Sequence, residues 1–319
     1  VVERGREAMG DAWVRFGRLK WIIAAVVLVI VLAYPIGMLI AHQINDDVDF
    51  VTPAEFETVD GSHAVAMAAA LIHREVAETK WVANTPFPFP ASLLDNMPNF
   101  QTGLIYAVSR FAIQMTDSLG RTRGTSQVDP DLDKASGLLK YDGTVWIWEP
   151  SISIWPTARA ESQYLAGMRS LLRYNQRLAA GEAVFDRRAD NLIVFLDSVA
   201  ADLGSASAAA EDRIHASSAG WFDTKADDVF YASKGRLYGY YMLLRELGRD
   251  FDAVLAERNV GAIWQQMLQT MRVAAGLDPW IISNAAVDGL FFPNHLAAQG
   301  FYLLRARAQL REVGSVLAN

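Results

Sequence analysis

Cysteine is missing from all 319 residues. That absence excludes disulfide staples, thiolate nucleophiles, Cys-ligated zinc, iron–sulfur clusters and thiol redox switches. Histidine is scarce, with 5 residues, and His42, His63, His73, His215 and His295 lack the spacing of a metal site. Charged residues make up only 20% against 52% hydrophobic ones, a balance that excludes an intrinsically disordered chain. Neither a Gly-x-Ser-x-Gly elbow nor a phosphate-cradling loop nor a dinucleotide fingerprint occurs. No cofactor and no metal are expected.

What is present is unevenly spread. Residues 21–40, WIIAAVVLVIVLAYPIGMLI, carry no charge. At about 1.5 Å per residue they reach roughly 30 Å, the thickness of a bilayer's hydrocarbon core. Pro35 and Gly37 are tolerated in such a helix. A cleaved signal peptide would have a shorter apolar core, a shorter basic leader and a small-x-small cleavage box. The expectation is an uncleaved transmembrane helix over residues 21–42.

Orientation follows from basic residues. Arg4, Arg6, Arg15, Arg18 and Lys20 precede the run, whereas residues 41–60 contain no Lys or Arg, which predicts a cytoplasmic N-terminus and an external body. Residues 1–20 form the cytoplasmic basic segment, where Trp13, Phe16 and Trp21 between the cations predict a short interfacial helix. Ala33, Gly37 and Ala41 are four apart, a small-residue stripe of the kind that lets membrane helices pack closely.

From Gln43 onward there are 24 basic and 33 acidic side chains, a net charge of −9. Such a surface argues against nucleic acid or anionic lipid as the partner of this part. The apolar spacing there is helical: Tyr164, Met168, Leu171, Leu172 and Asn175, then Leu192, Phe195, Leu196, Val199 and Leu203, then Leu237, Tyr240, Tyr241, Leu244 and Leu247 each follow a three-four rhythm. Further helices are predicted near residues 62–81, 100–118 and 258–275, with a last amphipathic one capped by Asn294. The fold class is mainly α, a helical bundle behind one membrane helix.

One segment departs from the rhythm. In residues 144–156, TVWIWEPSISIWP, apolar residues alternate around Glu149 and Pro150, predicting a small β-hairpin or extended segment. Trp146, Trp148 and Trp155 either clamp it to the helices or present an aromatic platform to a partner. Residues 84–98 hold four prolines interleaved with phenylalanines, too apolar for a free linker and too proline-rich for a helix. The small, Ser/Ala-rich stretch 204–219 marks a boundary between one helical subdomain, residues 43–203, and another, residues 204–319.

Chemistry-bearing patterns are few. Asp129, Asp131 and Asp133 begin like a calcium loop, but Lys134 replaces the turn glycine and Lys140 the bidentate acid. Asp129-Pro130 fits an N-cap followed by proline at the first helical position. Glu161-Ser162 with Tyr174-Asn175 is similar in outline to lytic transglycosylases, in which a single glutamate is acid and base on peptidoglycan. The pattern departs from that family in lying on one continuous helix, without the intervening Gly-Leu-Met-Gln-like segment. Glu161 and Glu149 are the acids a membrane-tethered cell-wall enzyme would use.

Four strings carry a broader resemblance: LLDNMPNFQTGLIY over residues 93–106, DPDLDKA over 129–135, ESQYLAGMRSLLRY over 161–174 and RRADNLIVFL over 187–196. Together they resemble an uncharacterised proteobacterial inner-membrane family catalogued only as a domain of unknown function. The resemblance implies a bacterial inner membrane and a periplasmic domain, with no catalytic residues to carry over. Asp95, Asn96 and Asn99 in the first string, and Arg188, Asp190 and Asn191 in the last, are read as capping and hydrogen-bonding residues or as a ligand site. The expected role is a scaffold or accessory subunit of an envelope complex, with the bilayer and either protein partners or further copies of the chain as its contacts.

Overall fold

The structure is a computed structural model that describes residues 2–119, 128–148, 154–216, 223–279, 281–285 and 293–319. Among these the protein is all-helical, with ten α-helices and no strand: α1 (Val2–Ala41), α2 (His63–His73), α3 (Asn96–Gln114), α4 (Pro130–Leu139), α5 (Ala160–Ala179), α6 (Ala189–Ala216), α7 (Thr224–Asp250), α8 (Asp252–Glu257), α9 (Gly261–Ala275) and α10 (His295–Leu317). Single π-helical turns prolong α2 over Arg74–Glu78 and α3 over Met115–Leu119.

The chain divides into two compact units. The first joins Val1–Gln43 to Pro86–Leu94. Its helix α1 runs unbroken through Pro35, so the expected interfacial helix and the apolar run are one element. No residue of the apolar part, Leu19–Ala41, is buried. The proline-rich loop lies on this helix through a 3₁₀ turn, Pro90–Leu93. The Tyr34 hydroxyl donates to the Pro88 carbonyl, and a Cβ placed on Gly37 would stand 2.7 Å from Cγ of Pro90. Gly37 is thus the seat of Pro90, and the small-residue stripe is met at its centre by the same chain.

The second unit comprises Ile44–Thr85 and Asp95–Asn319. At its centre lies α2, whose residues from Ala64 to Ile72 are all buried, as a helix apolar on every side must be. Its start is fixed from three directions. The Ser62 side chain accepts from the Val65 amide. The Asp250 carboxylate at the end of α7 accepts from the Ser62 hydroxyl and from the amides of His63 and Ala64, at 2.6–3.0 Å. The buried Asn175 of α5 grips the Ser62 backbone on both sides. A carboxylate over free helix amides satisfies donors that burial would otherwise strand.

Helix α2 packs on α5 and α7, α7 in turn packs on α3, α9 and α6, and α10 lies along α6. Helices α3 and α7 come within backbone contact: a Cβ on Gly103 would fall on the Ala232 carbonyl and one on Gly235 on the Phe100 carbonyl. The predicted boundary at residue 204 falls inside α6, and residues on both sides of it belong to one unit. Its small side chains serve contact: a Cβ on Gly204 would stand 3.2 Å from the Arg307 guanidinium of α10, and Ser207 faces Gly300.

No ladder forms in the Trp-rich segment among its described residues. Instead the Val145 and Ile147 carbonyls accept from the amides of Ala160 and Thr157, at 3.2 and 2.8 Å, which ties the described residues of the segment to the start of α5 without forming a strand pair.

Candidate functional site

Polar side chains converge where residues 44–50, directly after α1 in sequence, lie across α7 and α9. Ile44, Val48 and Phe50 pack against the core. Between them the polar groups are taken up in turn. Lys234 Nζ of α7, with no solvent exposure, stands 2.5 Å from the Asp46 carboxylate. The Tyr238 hydroxyl donates to the Asp47 carbonyl at 2.8 Å. Arg245 donates to the carbonyls of Val48 and Phe50, and Arg272 of α9 holds both oxygens of Asp49 at 2.8 Å.

Beneath this strap sits a buried ion pair. Arg74 and Glu75 are each 1% exposed, with the Arg74 guanidinium donating twice to one Glu75 oxygen at 2.8–3.0 Å and once to the Tyr238 hydroxyl at 2.7 Å. Arg74 also lies 4.8 Å from the centre of the Phe50 ring, a cation–π contact strengthened by desolvation. Burial pushes the Tyr238 phenol up to about 12, with Arg74 pulling the other way. Tyr238 therefore stays protonated and serves both Arg74 and Asp47.

The pattern on α7 explains the convergence. Asp227, Tyr231, Lys234, Tyr238, Tyr241 and Arg245 recur at steps of three and four, a second stripe beside the apolar one. Sequence reasoning found only the apolar stripe, in which it counted Tyr241. The signal for the other was present, since two cations and three tyrosines at helical spacing fit a helix that buries polar heads.

The LDNMPN string lies at the start of that stripe. Asp95 caps α3 by accepting from the Asn96 amide at 2.9 Å, and Asn99 donates to Asp228 of α7 at 2.7 Å. Carboxylate oxygens of Asp95, Asp227 and Asp228 lie within 4.8 Å of one another. Burial, and then the charge of Asp95, raise Asp227 and Asp228 from their ordinary values.

The RADNL string is elsewhere, at the start of α6. Arg188 pairs with Asp190 at 3.1 Å on the surface, and Asn191 donates to the Asp186 carbonyl at 3.2 Å. Arg188, Asp190 and Ile193 line an open cleft of about 580 Å³ with Val254, Arg258 and Leu317. In the DPDLDKA string Asp129 caps α4, Pro130 is its first residue, and Arg177 bridges Asp129 and Asp131.

Of the acids considered for catalysis, Glu161 accepts from Asn84 at 2.8 Å, and Asn84 also donates to the Val145 carbonyl. Glu149 lies outside the described residues. Asn175, the other half of the transglycosylase-like outline, is fully buried and spent on Ser62. Trp146 is half-buried, whereas Trp148 and Trp155 are exposed. The tryptophan fixed in the interior nearby is Trp81, which donates to the Gly143 carbonyl at 2.8 Å and meets Tyr164 edge-on. Sequence reasoning did not single it out.

These features define an all-helical protein with a buried polar network joining its helices, preceded by a helix long and apolar enough to cross a membrane. The chain belongs to the family described as "Uncharacterized protein conserved in bacteria (DUF2333)", whose model matches residues 8–219 and 206–319. Neither a curated protein nor a solved structure matches it.

Proposed function

We propose that this is a single-pass inner-membrane protein, N-terminus inside, whose periplasmic helical domain serves as a scaffold or accessory subunit of a cell-envelope complex. The observation that carries the reading is the strap. The domain's side-chain contacts begin at Ile44 and proceed through Asp46, Asp47 and Asp49, so the residues that follow the apolar helix are spent on holding the domain's own helices. A domain gripped at its membrane-proximal end suits a part that presents a fixed surface to partners. The basic residues before the apolar run and their absence after it support the orientation. The net charge of −9 beyond Gln43 fits a protein partner better than a nucleic acid.

Gentle extraction into detergent or nanodiscs, followed by native mass measurement and identification of stoichiometric companions, tests the proposal. A defined assembly that contains the chain with a second protein, or with further copies of itself, is expected. A solitary monomer at native expression would overturn the scaffold reading.

A further inference from the structure

The proline-rich loop has no assigned role, and its surroundings point to one. Three side chains of this short segment face outward: Phe87 at 79% exposure, Phe89 at 57% and Leu93 at 55%. No charged residue occurs between Lys80 and Asp95. Clustered exposed aromatics without a charge among them are costly in water and mark a surface that meets something apolar.

Position along α1 identifies the occupant. The loop is seated on the helix at Tyr34 and Gly37, six and three residues before Ile40, where the apolar run ends. At about 1.5 Å per residue these seats lie roughly 9 and 5 Å inside that end. A tyrosine there sits at the depth where the aromatic belt of a membrane protein lies. The backbone chemistry agrees. Pro86, Pro88 and Pro90 carry no amide hydrogen, and the Phe89, Ser92 and Leu94 amides are bonded within the loop. The Pro88 carbonyl is met by Tyr34. With three amides bonded internally and three more removed by proline, the loop has fewer free donors to desolvate than an ordinary loop, which lowers the cost of leaving water.

We propose that the loop is a second membrane contact, a wedge in which Phe87, Phe89 and Leu93 enter the outer-leaflet interface beside α1. The ligand is the acyl-glycerol region of the lipid, with no headgroup selectivity implied by the uncharged loop. The inference rests on the proposed membrane span, and its test separates the two.

The cysteine-free chain allows single nitroxide labels in the full-length protein, reconstituted into vesicles of phosphatidylethanolamine and phosphatidylglycerol. Labels at Phe87→Cys and Phe89→Cys are compared with Val29→Cys in the middle of the apolar run of α1 and Val59→Cys on the domain, a position 87% exposed. Collision with oxygen, which concentrates in lipid, is measured against collision with a water-soluble nickel chelate. The expected oxygen-to-nickel ratio at positions 87 and 89 is several-fold above that at 59 and below that at 29, as an interfacial depth requires. If position 29 reads as lipid while 87 and 89 match 59, the span stands and the wedge is overturned. If 87 and 89 are shielded from both reagents, a protein or a second copy covers the loop and the lipid proposal is equally overturned. If position 29 itself reads as water, the span fails and the wedge with it.

Discussion

Two charge-free apolar runs of this chain end in opposite surroundings. Residues 21–40 lie on a helix with no buried residue, where Trp21 and Leu39 are 79% and 77% exposed. Residues 64–72, on α2, are all buried. The shorter run is bracketed by Asp250, Ser62 and Asn175 at its start and by the Arg74–Glu75 pair at its end. The longer one has a single tyrosine–carbonyl contact and a proline seat along the part facing the loop. The difference is one of polar supply. The domain spends charged and amide side chains on closing a core around α2, whereas α1 closes its own backbone and leaves its apolar side chains uncovered, as a helix built to cross a membrane would.

The strongest way to break this comparison is to remove a buried charge. In Arg74→Ala the Glu75 carboxylate stays in the core without its partner, and loss of one member of a buried pair costs about 3–5 kcal/mol. Domain melting, followed by circular dichroism in detergent, is expected to fall by on the order of 10 °C. Arg74→Met combined with Glu75→Gln should recover most of it, because no orphaned charge remains. Val29→Ala on α1 is expected to leave the transition where it is. Equal losses from Arg74→Ala and Val29→Ala would mean that the two regions are not held differently.

Packing gives the next largest effect. Gly235→Ala drives a methyl group into the Phe100 carbonyl across the α3–α7 contact, and overpacking of that kind costs about 1–3 kcal/mol. Gly137→Ala on α4, where nothing lies within 4 Å of the new carbon, should instead stabilise by about 0.5–1 kcal/mol through the unfolded chain. Urea denaturation of the two variants reads both signs.

The smallest effect comes from the carboxylate cluster. Asp227 is raised above its unfolded value by burial and by Asp95. The folded state therefore holds its proton more tightly, and the stability linked to that proton is present at acid pH and lost as pH rises through the raised pKa. Asp227→Asn should melt slightly higher than the parent at neutral pH, by about 1 °C given its partial exposure. The gap should close as pH is lowered toward 4. A gap that widens on acidification would show that Asp227 is stabilised as an anion.

Much of the helical layout was legible because the apolar side chains keep the helical period. The stripe from Leu192 to Leu203 lies on α6 with all five residues buried, and the predicted helices near 62–81, 100–118 and 258–275 correspond to α2 and α3, each with its π turn, and to α9. The contacts that stabilise the domain were not legible, since Lys234 and Asp46, or Arg74 and Tyr238, are far apart in sequence and nothing local marks them as partners. Small residues were ambiguous for a related reason. At Gly204 and Ser207 they serve helix contact, although the same composition suits a hinge. Of the candidate residues, Asp95 and Asn99 meet acids of α7 that no local pattern announced, while Asp129 capped the helix its Asp-Pro pair predicted.

The central claim is that residues 21–40 cross the bilayer and leave the domain outside. Single cysteines at Arg4→Cys and Val59→Cys, probed with a membrane-impermeant maleimide on spheroplasts, test it most directly. Labelling of Val59→Cys in intact spheroplasts, with Arg4→Cys labelled only after permeabilisation, is the expected result. Labelling of both positions from the same side, or of Val59→Cys only after permeabilisation, would contradict the account.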